Sequence, residues 1–367
     1  MSETSFKGGT ALEPQLSIIV PVYDPGEYLP RALDRIAGQT RGDFECILVD
    51  DGSPDGSGAL CDQQARLDPR FRVIHKQNGG LSAARNSGME IASGRFFLFC
   101  DGDDALHPRL LELALAAHKL YPEHLVTWRF TSDQADWAAE FPTSGSLPIT
   151  LFPQAKLLRY FSDRQLFNSA CNKLYPRAFL QKHGIQFDIQ AHGIEDYVFF
   201  NAFRPPYFAE SPQAGICQID LPLYYYNQSN CVSITHTTGA TYQRDFSDYC
   251  RLQLRLYADT KSVFEPFFHY PAPDIALVMS ATLQSIAYGL CQLPQPRQEI
   301  ARLWQAPELQ EIWRWHRRQR VHNLFLTFLR LRWAGGIKWW FHICETRPAL
   351  YANVYWTGYR SLRKNES

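Results

Sequence analysis

The chain of 367 residues carries 37 basic and 37 acidic side chains, so its formal net charge at pH 7 is zero. This balance gives no electrostatic reason to expect a nucleic acid as a partner. A hydrophobic content of 45% is typical of a folded protein with a sizeable core. The length favours two domains, or one large domain with an appendage.

The nine cysteines are scattered along the chain, and none of them forms a CxxC pair. Several lie inside apolar runs, as Cys46 does in FECILV and Cys100 in FFLFC. This pattern favours reduced, buried thiols over a disulfide framework. Residues 1–15 lack the apolar segment of a signal peptide, and we expect them to form a flexible tail. Together these features predict a cytoplasmic protein.

Between residues 16 and 130, short apolar runs typical of strands alternate with stretches of helical periodicity. The strand-like runs are LSIIVPV, FECILVD, FRVIH, RFFLFCD and LVTWRF. The helical stretches are Tyr28–Gln39, Ser57–Leu67, Leu81–Ala92 and Pro108–Leu120. Apolar strands separated by helices predict an α/β fold with a mostly parallel sheet covered on both faces. Ligands of such sheets bind beyond the carboxyl ends of the strands.

The chain is polar from about Thr131 to Thr150, and a second block follows from Leu151 to about residue 235. We expect residues 236–367 to be helical. Within them, Ile275–Pro296 is uncharged but contains several polar side chains and two prolines. We predict a buried helix there, with Asp274 as its N-cap, because a membrane span needs about 20 mostly apolar residues.

The segment from residue 301 onward differs in composition from the rest of the chain. It holds 12 of the basic residues against 4 acidic ones, and seven of the nine tryptophans. One interpretation is a helix that lies on an anionic membrane surface, where Trp and Arg are favoured. The other is a helical appendage whose aromatic side chains pack onto the preceding domain while its basic side chains face water.

The acidic run CDGDD, residues 100–104, directly follows the strand-like run RFFLF. Three carboxylates within four residues repel one another unless a cation lies among them. Hard divalent cations such as Mg2+ and Mn2+ take oxygen ligands and can bridge to a diphosphate. A solvated acidic turn that caps the next helix fits the same residues, so the run alone leaves both explanations open.

Two further motifs follow strand-like runs. In VDDGSPDGS, residues 49–57, a carboxylate can accept hydrogen bonds from a base edge or a ribose hydroxyl, although these residues also form ordinary turns. In NGGLSAARNSG, residues 78–88, Gly79 and Gly80 permit close backbone approach, and Arg85 lies on the helix that follows. No lysine stands where a P-loop requires one, so a tight turn before an amphipathic helix explains this motif equally well.

Taken in order, PVYD, VDDGS, GGLSAARNSG, FCDGDD, NKLY and GIEDYVF resemble the pattern of glycosyltransferase family 2. The resemblance implies a GT-A fold over residues 16–235, with a nucleotide-sugar half at 16–130 and an acceptor half at 131–235. Residues 236–367 would form a helical C-terminal region. The resemblance also implies a nucleotide-sugar donor, usually a UDP-sugar, a divalent metal (Mn2+ or Mg2+) and inversion at the anomeric carbon.

The resemblance further implies roles for particular residues. Asp196 would be the catalytic base, with Glu195 beside it on the acceptor side, and Asp103 would ligate the metal. Asp51 would contact the uracil or its ribose. This sequence has Asp24 where the family more often has Asn. The residues implied to bind the nucleotide-sugar are Pro21, Val22, Tyr23, Asp51, Arg85, Asp101, Gly102 and Asp104.

The sequence thus predicts an inverting, metal-dependent hexosyl- or N-acetylhexosaminyltransferase. We expect its acceptor to be a saccharide or lipid-linked saccharide in bacterial cell-surface polysaccharide or lipopolysaccharide synthesis. Residues 301–364 would contact the inner face of the cytoplasmic membrane. One alternative is a non-catalytic nucleotide-sugar-binding protein on the same fold. Another is a metal-dependent phosphotransferase, but that would need a DxD motif after the first strand, whereas this motif follows the fourth.

Overall fold

The computed structural model describes residues 14–138, 147–154, 169–191, 195–229, 296–318 and 324–346, with isolated residues between 250 and 293. Of the predicted tail at residues 1–15, residues 1–13 lie outside this part of the chain, whereas the Gln15 N–H donates to the carbonyl oxygen of Asp43 at 2.9 Å. Two compact units are present, and each is treated by itself below. The first comprises Met1–Pro153 and Asn168–Val232, and the second comprises Gln154–Phe167 and Ser233–Ser367.

The central sheet of the first unit has the strand order β3-β2-β1-β4-β8. Strands β1 to β4 are parallel, and the edge strand β8 is antiparallel to β4. Every residue of β1 and β2 is buried, so both faces of the sheet are covered. The mostly parallel sheet expected from the sequence is therefore confirmed. The strands are β1 Leu16–Val22, β2 Phe44–Asp50, β3 Phe71–His75, β4 Phe96–Phe99 and β8 Tyr175–Pro176.

The helices between these strands lie close to where the periodicity places them. α3 packs against β1 and β2, and α2 packs against β2 and β3. Gly88 permits the close approach of α3, because a Cβ atom there would lie 2.5 Å from the Cγ2 of Ile19. The helices are α1 Leu29–Ala37, α2 Ser57–Leu67, α3 Leu81–Ile91 and α4 Leu110–Leu120.

The run LVTWRF forms β6, Leu125–Thr131, but it does not join the central sheet. It belongs to a second sheet of order β5-β9-β6, in which β7 also pairs with β9. β6 runs parallel to β9, and the free edge of β4 is occupied by β8 instead. The expectation that all five runs share one sheet is therefore wrong. The other strands here are β5 Ala105–Leu106, β7 Ile149–Pro153 and β9 Gly215–Tyr225.

Three further helices belong to the first unit. α5 is Gln134–Ala138, α6 is Arg177–Lys182, and α7 is Glu195–Glu210. A short 3-10 helix, Ala170–Asn172, directly precedes the Lys173–Leu174 segment that leads into β8. Both this turn and α7 pack beside the end of β4 that carries the acidic run. They bring Ala170 and Asp196 to the same edge as the motifs that precede residue 105.

The second unit contains helices at the described positions, as expected from its sequence. α8 is Pro296–Gln305, α9 is Pro307–Arg318, α10 is Leu324–Arg330, and α11 is Ala334–Thr346. Of the predicted helix 275–296, the described residues Leu283, Ile286, Ala287 and Leu290 are helical and buried, whereas Asp274 lies outside them. No helix in the described part of the chain is both long and apolar enough to cross a bilayer.

Candidate active site

The motifs of the first unit meet at the carboxyl edge of the central sheet. Tyr23 follows β1, Asp51 follows β2, and the acidic loop, defined here as Asp101–Asp104, follows β4. The loop lies directly against the end of β1, because a Cβ atom at Gly102 would be 3.1 Å from the carbonyl oxygen of Pro21. Val22 is buried there, and the Tyr23 ring is exposed at the rim. Parallel strands explain this convergence, since their carboxyl ends share one edge.

Asp51 is buried, and its carboxylate anchors the loop before α3. Its two oxygens accept hydrogen bonds from the backbone N–H groups of Gly79 and Gly80 at 2.8–3.1 Å. The Lys76 ammonium donates to the same carboxylate at 2.6 Å. Gly80 has a φ of 85°, a conformation that glycine adopts without strain. Asp51 therefore shapes the Gly79–Gly80 turn, and its direct contact with a nucleotide stays a prediction.

Arg85 connects the acidic loop to Asp196. Its side chain is only 1% exposed, and it donates to Asp101 at 2.8 Å and to Asp196 through its other terminal nitrogen. Burial opposes the charge of Arg85, but the carboxylates of Asp196 and Asp101 raise its pKa well above the ordinary value. The guanidinium also lies over the Phe187 ring, 5.0 Å from its centre. Arg85 is thus a buried cation shared by two acids that lie far apart in sequence.

Asp196 begins α7 and is held by two donors. One is Arg85, and the other is the backbone N–H of Ala170, 2.8 Å from the second carboxylate oxygen. The Asp196 side chain keeps partial exposure to solvent. Glu195 lies beside it and is also partly exposed. A fixed, solvent-accessible carboxylate at this place can accept a proton from a bound hydroxyl group.

Within the acidic loop, Asp104 differs from its neighbours. It is buried and accepts hydrogen bonds from the Tyr224 hydroxyl at 2.5 Å and from the Asn227 N–H at 2.8 Å. Burial, together with the charges of Asp101 and Asp103, raises its pKa well above the usual range. The same Tyr224 hydroxyl accepts from the N–H of Asp101 at 3.2 Å. Asp104 therefore fastens the acidic loop to the end of β9.

The acidic loop suits a hard divalent cation. Asp101 and Asp103 are partly exposed and offer oxygen ligands, and their charges contribute to the raised pKa of Asp104. A cation beside them would offset this excess of negative charge. Among the described residues, no three His, Cys, Asp or Glu side chains converge on one point. Asp103 stays the residue of this loop that we predict to ligate the metal.

Lys173 of the motif NKLY holds the turn that binds Asp196. Lys173 is fully buried and donates to the Ser169 carbonyl oxygen at 2.6 Å and to the Asn172 side-chain oxygen at 2.7 Å. Its ammonium lies 4.6 Å from the centre of the Phe200 ring, one turn beyond Asp196 on α7. Burial lowers the pKa of Lys173 to about 7. Lys173 therefore holds the turn whose Ala170 N–H binds Asp196.

Sequence reasoning misses Lys76. For Lys173 it leaves open a contact with a phosphate, and for Tyr224 stacking on an acceptor sugar, each beside a structural role. Tyr224 lies in the run LYYYN, and a run of aromatic residues is typical of a core strand. Lys76 precedes the Gly79–Gly80 motif directly, and this position beside a glycine-rich turn is the one local signal for it. The contacts of Tyr224 with Asp104 and of Lys173 with Phe200 join segments distant in sequence, so no local pattern reveals them.

The fold is that of GT-A glycosyltransferases. The crystal structure of residues 1–349 of TarS from S. aureus superposes with a TM-score of 0.57 at 16% sequence identity. The superposition covers 88% of this chain and 89% of that one. The same TarS fragment in complex with UDP-GlcNAc gives a TM-score of 0.55 at 18% identity, with the same coverage.

The amino-acid sequence identifies the family. Residues 17–184 match the model described as glycosyl transferase family 2. The glycosyltransferase YibD of Escherichia coli (strain K12) is 30% identical over 272 residues, which cover 70% of this chain and 75% of YibD. The putative glycosyltransferase EpsH of Bacillus subtilis (strain 168) is 31% identical over 227 residues, 58% of this chain and 60% of EpsH. The chain belongs to glycosyl transferase family 2, and it spans less than two thirds of the length of EpsH.

Proposed function

We propose that this protein is an inverting, metal-dependent glycosyltransferase that moves a hexosyl or N-acetylhexosaminyl group from a UDP-sugar to an acceptor hydroxyl. The contact that carries this proposal is the bridge from Arg85 to Asp101 and Asp196. It joins the acidic loop, suited to a donor diphosphate, to a fixed carboxylate suited to an acceptor hydroxyl. The TarS crystals with UDP and with UDP-GlcNAc support the donor class, since TarS shares this fold.

The proposed donor site lies at the carboxyl edge of β1 and β4. The exposed Tyr23 ring can stack on a nucleobase, while the backbone of Pro21 and Val22 forms the floor of the site. Gly102 keeps the acidic loop close to that floor. Asp103, with Asp101 beside it, would hold Mn2+ or Mg2+. When bound, the metal would offset the negative charge that develops on the departing diphosphate.

Asp196 is the proposed general base. A sugar hydroxyl is a poor nucleophile at neutral pH, so a positioned carboxylate that accepts its proton accelerates the reaction. The acceptor oxygen forms a bond to the anomeric carbon as the bond from that carbon to the phosphate oxygen breaks. The proton passes to Asp196, and the electron pair leaves with the diphosphate. A single displacement of this kind inverts the anomeric configuration.

Arg85 and the Ala170 N–H fix the direction in which Asp196 faces. A carboxylate held by two donors cannot rotate freely, and general-base catalysis requires the base within hydrogen-bond reach of the hydroxyl. Glu195 lies at the same helix start and would contact the acceptor. The proposed acceptor is a saccharide or lipid-linked saccharide of a cell-surface polysaccharide or lipopolysaccharide, reached at the inner face of the cytoplasmic membrane. The basic, tryptophan-rich composition after residue 301 supports this location.

A donor screen tests the proposal. UDP release from a panel of UDP-sugars is measured with a mixture of acceptors, with and without EDTA. We expect one donor to be consumed, EDTA to abolish turnover, and Mn2+ or Mg2+ to restore it. Turnover that EDTA leaves unchanged would contradict the metal role of the acidic loop.

Two variants separate catalysis from binding. Asp196→Asn should lower kcat by about 10²–10⁴-fold while UDP binding persists, because the loss of a general base has that effect. Asp103→Ala should abolish metal-dependent turnover. Asp34→Asn, at an exposed carboxylate on α1, is the matched control and should remain fully active. UDP binding without turnover on any acceptor would favour the alternative of a non-catalytic nucleotide-sugar-binding protein.

A further inference from the structure

A helical hairpin in the second unit ends in a tight turn. α10 stops at Arg330, and α11 begins at Ala334. Backbone hydrogen bonds close the connection, from Arg332 N–H to Leu329 and from Trp333 N–H to Phe328, at 3.0 and 2.9 Å. Arg332 has a φ of 51°, in the left-handed region that sharp turns use. Residues 330–339 are called the basic–aromatic tip below.

The tip exposes large apolar side chains to solvent. Leu331 is 65% exposed, and Trp333 and Trp339 are each 55% exposed. Of the ten large apolar side chains that are exposed in the described part of the chain, four lie between Leu324 and Trp339. The opposite side of the same hairpin is well packed, since Phe325 stacks on Trp340 and both are buried. The hairpin is therefore folded, and its outward apolar surface needs a separate explanation.

The two exposed indoles are held in place. A Cβ atom at Gly336 would lie 2.5 Å from the Cε3 of Trp333, so this ring rests against the backbone of the first turn of α11. The buried Phe328 contacts the Trp333 and Trp339 rings edge-on, with centres 5.1 and 6.4 Å away. The glycine and the phenylalanine thus support an aromatic surface whose outer part stays exposed.

The sequence around this surface carries charges of one sign. Between Glu311 and Glu345 the sequence holds seven Lys or Arg residues and no Asp or Glu, in a chain whose total charge is zero. Three of these cations belong to the tip, and all are exposed: Arg330, Arg332 and Lys338. Two copies of the tip facing each other would repel, so the charge argues against self-association through this surface.

We propose that the basic–aromatic tip docks on an anionic phospholipid bilayer, with Leu331, Trp333 and Trp339 in the headgroup region and the three cations on acidic lipid headgroups. Indole rings favour the interface between water and hydrocarbon, and Arg and Lys near an anionic surface are attracted to it. The short turn at residues 331–333 brings apolar and cationic side chains to the surface together. This docking surface goes beyond the sugar-transfer chemistry and does not depend on it, because it needs neither donor nor metal.

Cosedimentation of the full chain with vesicles tests the proposal. One set of vesicles contains equal parts of phosphatidylglycerol and phosphatidylcholine, and the other contains phosphatidylcholine alone. We expect binding to the anionic vesicles only, and weaker binding at 0.5 M than at 0.1 M salt, because salt screens the attraction. Absence of binding to the anionic vesicles, or equal binding to both sets, would overturn the proposal.

Matched double variants locate the surface. Leu331→Ser with Arg332→Gln should weaken binding at least fivefold, since one cation near an anionic surface contributes about that factor. Leu67→Ser with Arg66→Gln makes the same two changes at an exposed Leu and Arg at the end of α2, and it should bind like the unchanged protein. Equal losses in both variants would show general electrostatic binding and contradict a role for the tip.

A third variant tests the aromatic surface. Trp333→Ser with Trp339→Ser removes two rings that are each 55% exposed and leaves the buried Phe325–Trp340 pair in place, so the hairpin should stay folded while binding weakens about tenfold. Light scattering of each variant in solution separates lipid from protein partners. If the unchanged protein dimerises and the tip variants are monomeric, the surface serves a second copy, and the lipid proposal is wrong. Because vesicle binding is measured without a donor, failure of the proposed transferase activity would leave this result unaffected.

Discussion

Replacement of Arg85 by lysine would distinguish two roles for this residue. Each terminal guanidinium nitrogen of Arg85 binds a different carboxylate, that of Asp101 or that of Asp196. A lysine keeps the charge but has a single nitrogen, so it cannot reproduce the rigid fork. One charged hydrogen bond would be lost, and such bonds contribute about 1.5–3 kcal/mol. If the lost hydrogen bond raises the activation free energy by this amount, because Asp196 is no longer held in place, kcat should fall about 10- to 100-fold.

The assay is UDP release, from which kcat and the donor KM are obtained separately, combined with thermal unfolding. We expect kcat to fall while the donor KM stays nearly constant, because Arg85 is buried and acts through the two carboxylates. Arg70→Lys is the matched control. Arg70 makes a similar fork with Asp68 away from the site, so its loss should lower stability slightly without changing kcat.

The opposite kinetic result would refute this reasoning. A raised donor KM with unchanged kcat would mean that Arg85 binds the nucleotide-sugar directly, as the resemblance to family 2 implies. Unchanged values of both parameters would mean that Asp196 keeps its position without the fork. Arg85 would then have no positioning role.

Two further predictions concern the supporting residues. The pKa of Lys173 is about 7 in the folded protein and 10.5 as its ordinary value, so the unfolded chain binds more protons between these pH values. The free energy of unfolding of the unchanged protein, measured in urea relative to that of Lys173→Met, should therefore rise by about 1 kcal/mol per pH unit between pH 7 and 10. A difference that does not change with pH would show that Lys173 stays charged. Tyr224→Phe removes the hydroxyl group between Asp104 and Asp101, and it should lower the free energy of unfolding by about 1–3 kcal/mol and weaken Mn2+ activation. Tyr225→Phe loses only a bond from Gln134, so equal Mn2+ activation in the two variants would contradict the role given to Tyr224.

Local sequence patterns predict the nucleotide half of the fold closely. β1, β2, β3 and α2 begin and end at the expected residues. The bounds of these segments depend on neighbouring residues, because apolar periodicity and turn residues act over a few positions. β6 shows the limit of such reasoning. Its apolar run is a strand, but its partner β9 lies about 90 residues later, and no periodicity specifies which sheet a strand joins.

In the candidate site, too, some positions follow from local sequence patterns and others depend on long-range contacts. The order of the motifs leads to one hypothesis for Asp51, the acidic loop and Asp196. The shared edge of parallel strands explains why Asp51 and the acidic loop lie together. The position of Arg85 between Asp101 and Asp196 depends on contact across 111 residues of sequence. The same holds for Tyr224, whose hydroxyl reaches Asp104 across 120 residues. Neither contact follows from residue type or spacing.

The bridge at Arg85 also limits how this chain could be recombined with a relative. A chimera that replaced everything after residue 150 would keep the bridge only if the incoming segment supplied two matching parts. It would need a carboxylate in place of Asp196 and a turn whose N–H group replaces that of Ala170. Since the guanidinium is buried, a graft without that carboxylate would leave its charge partly uncompensated. Junctions for such chimeras therefore lie outside the turn at residues 169–173 and the first turn of α7.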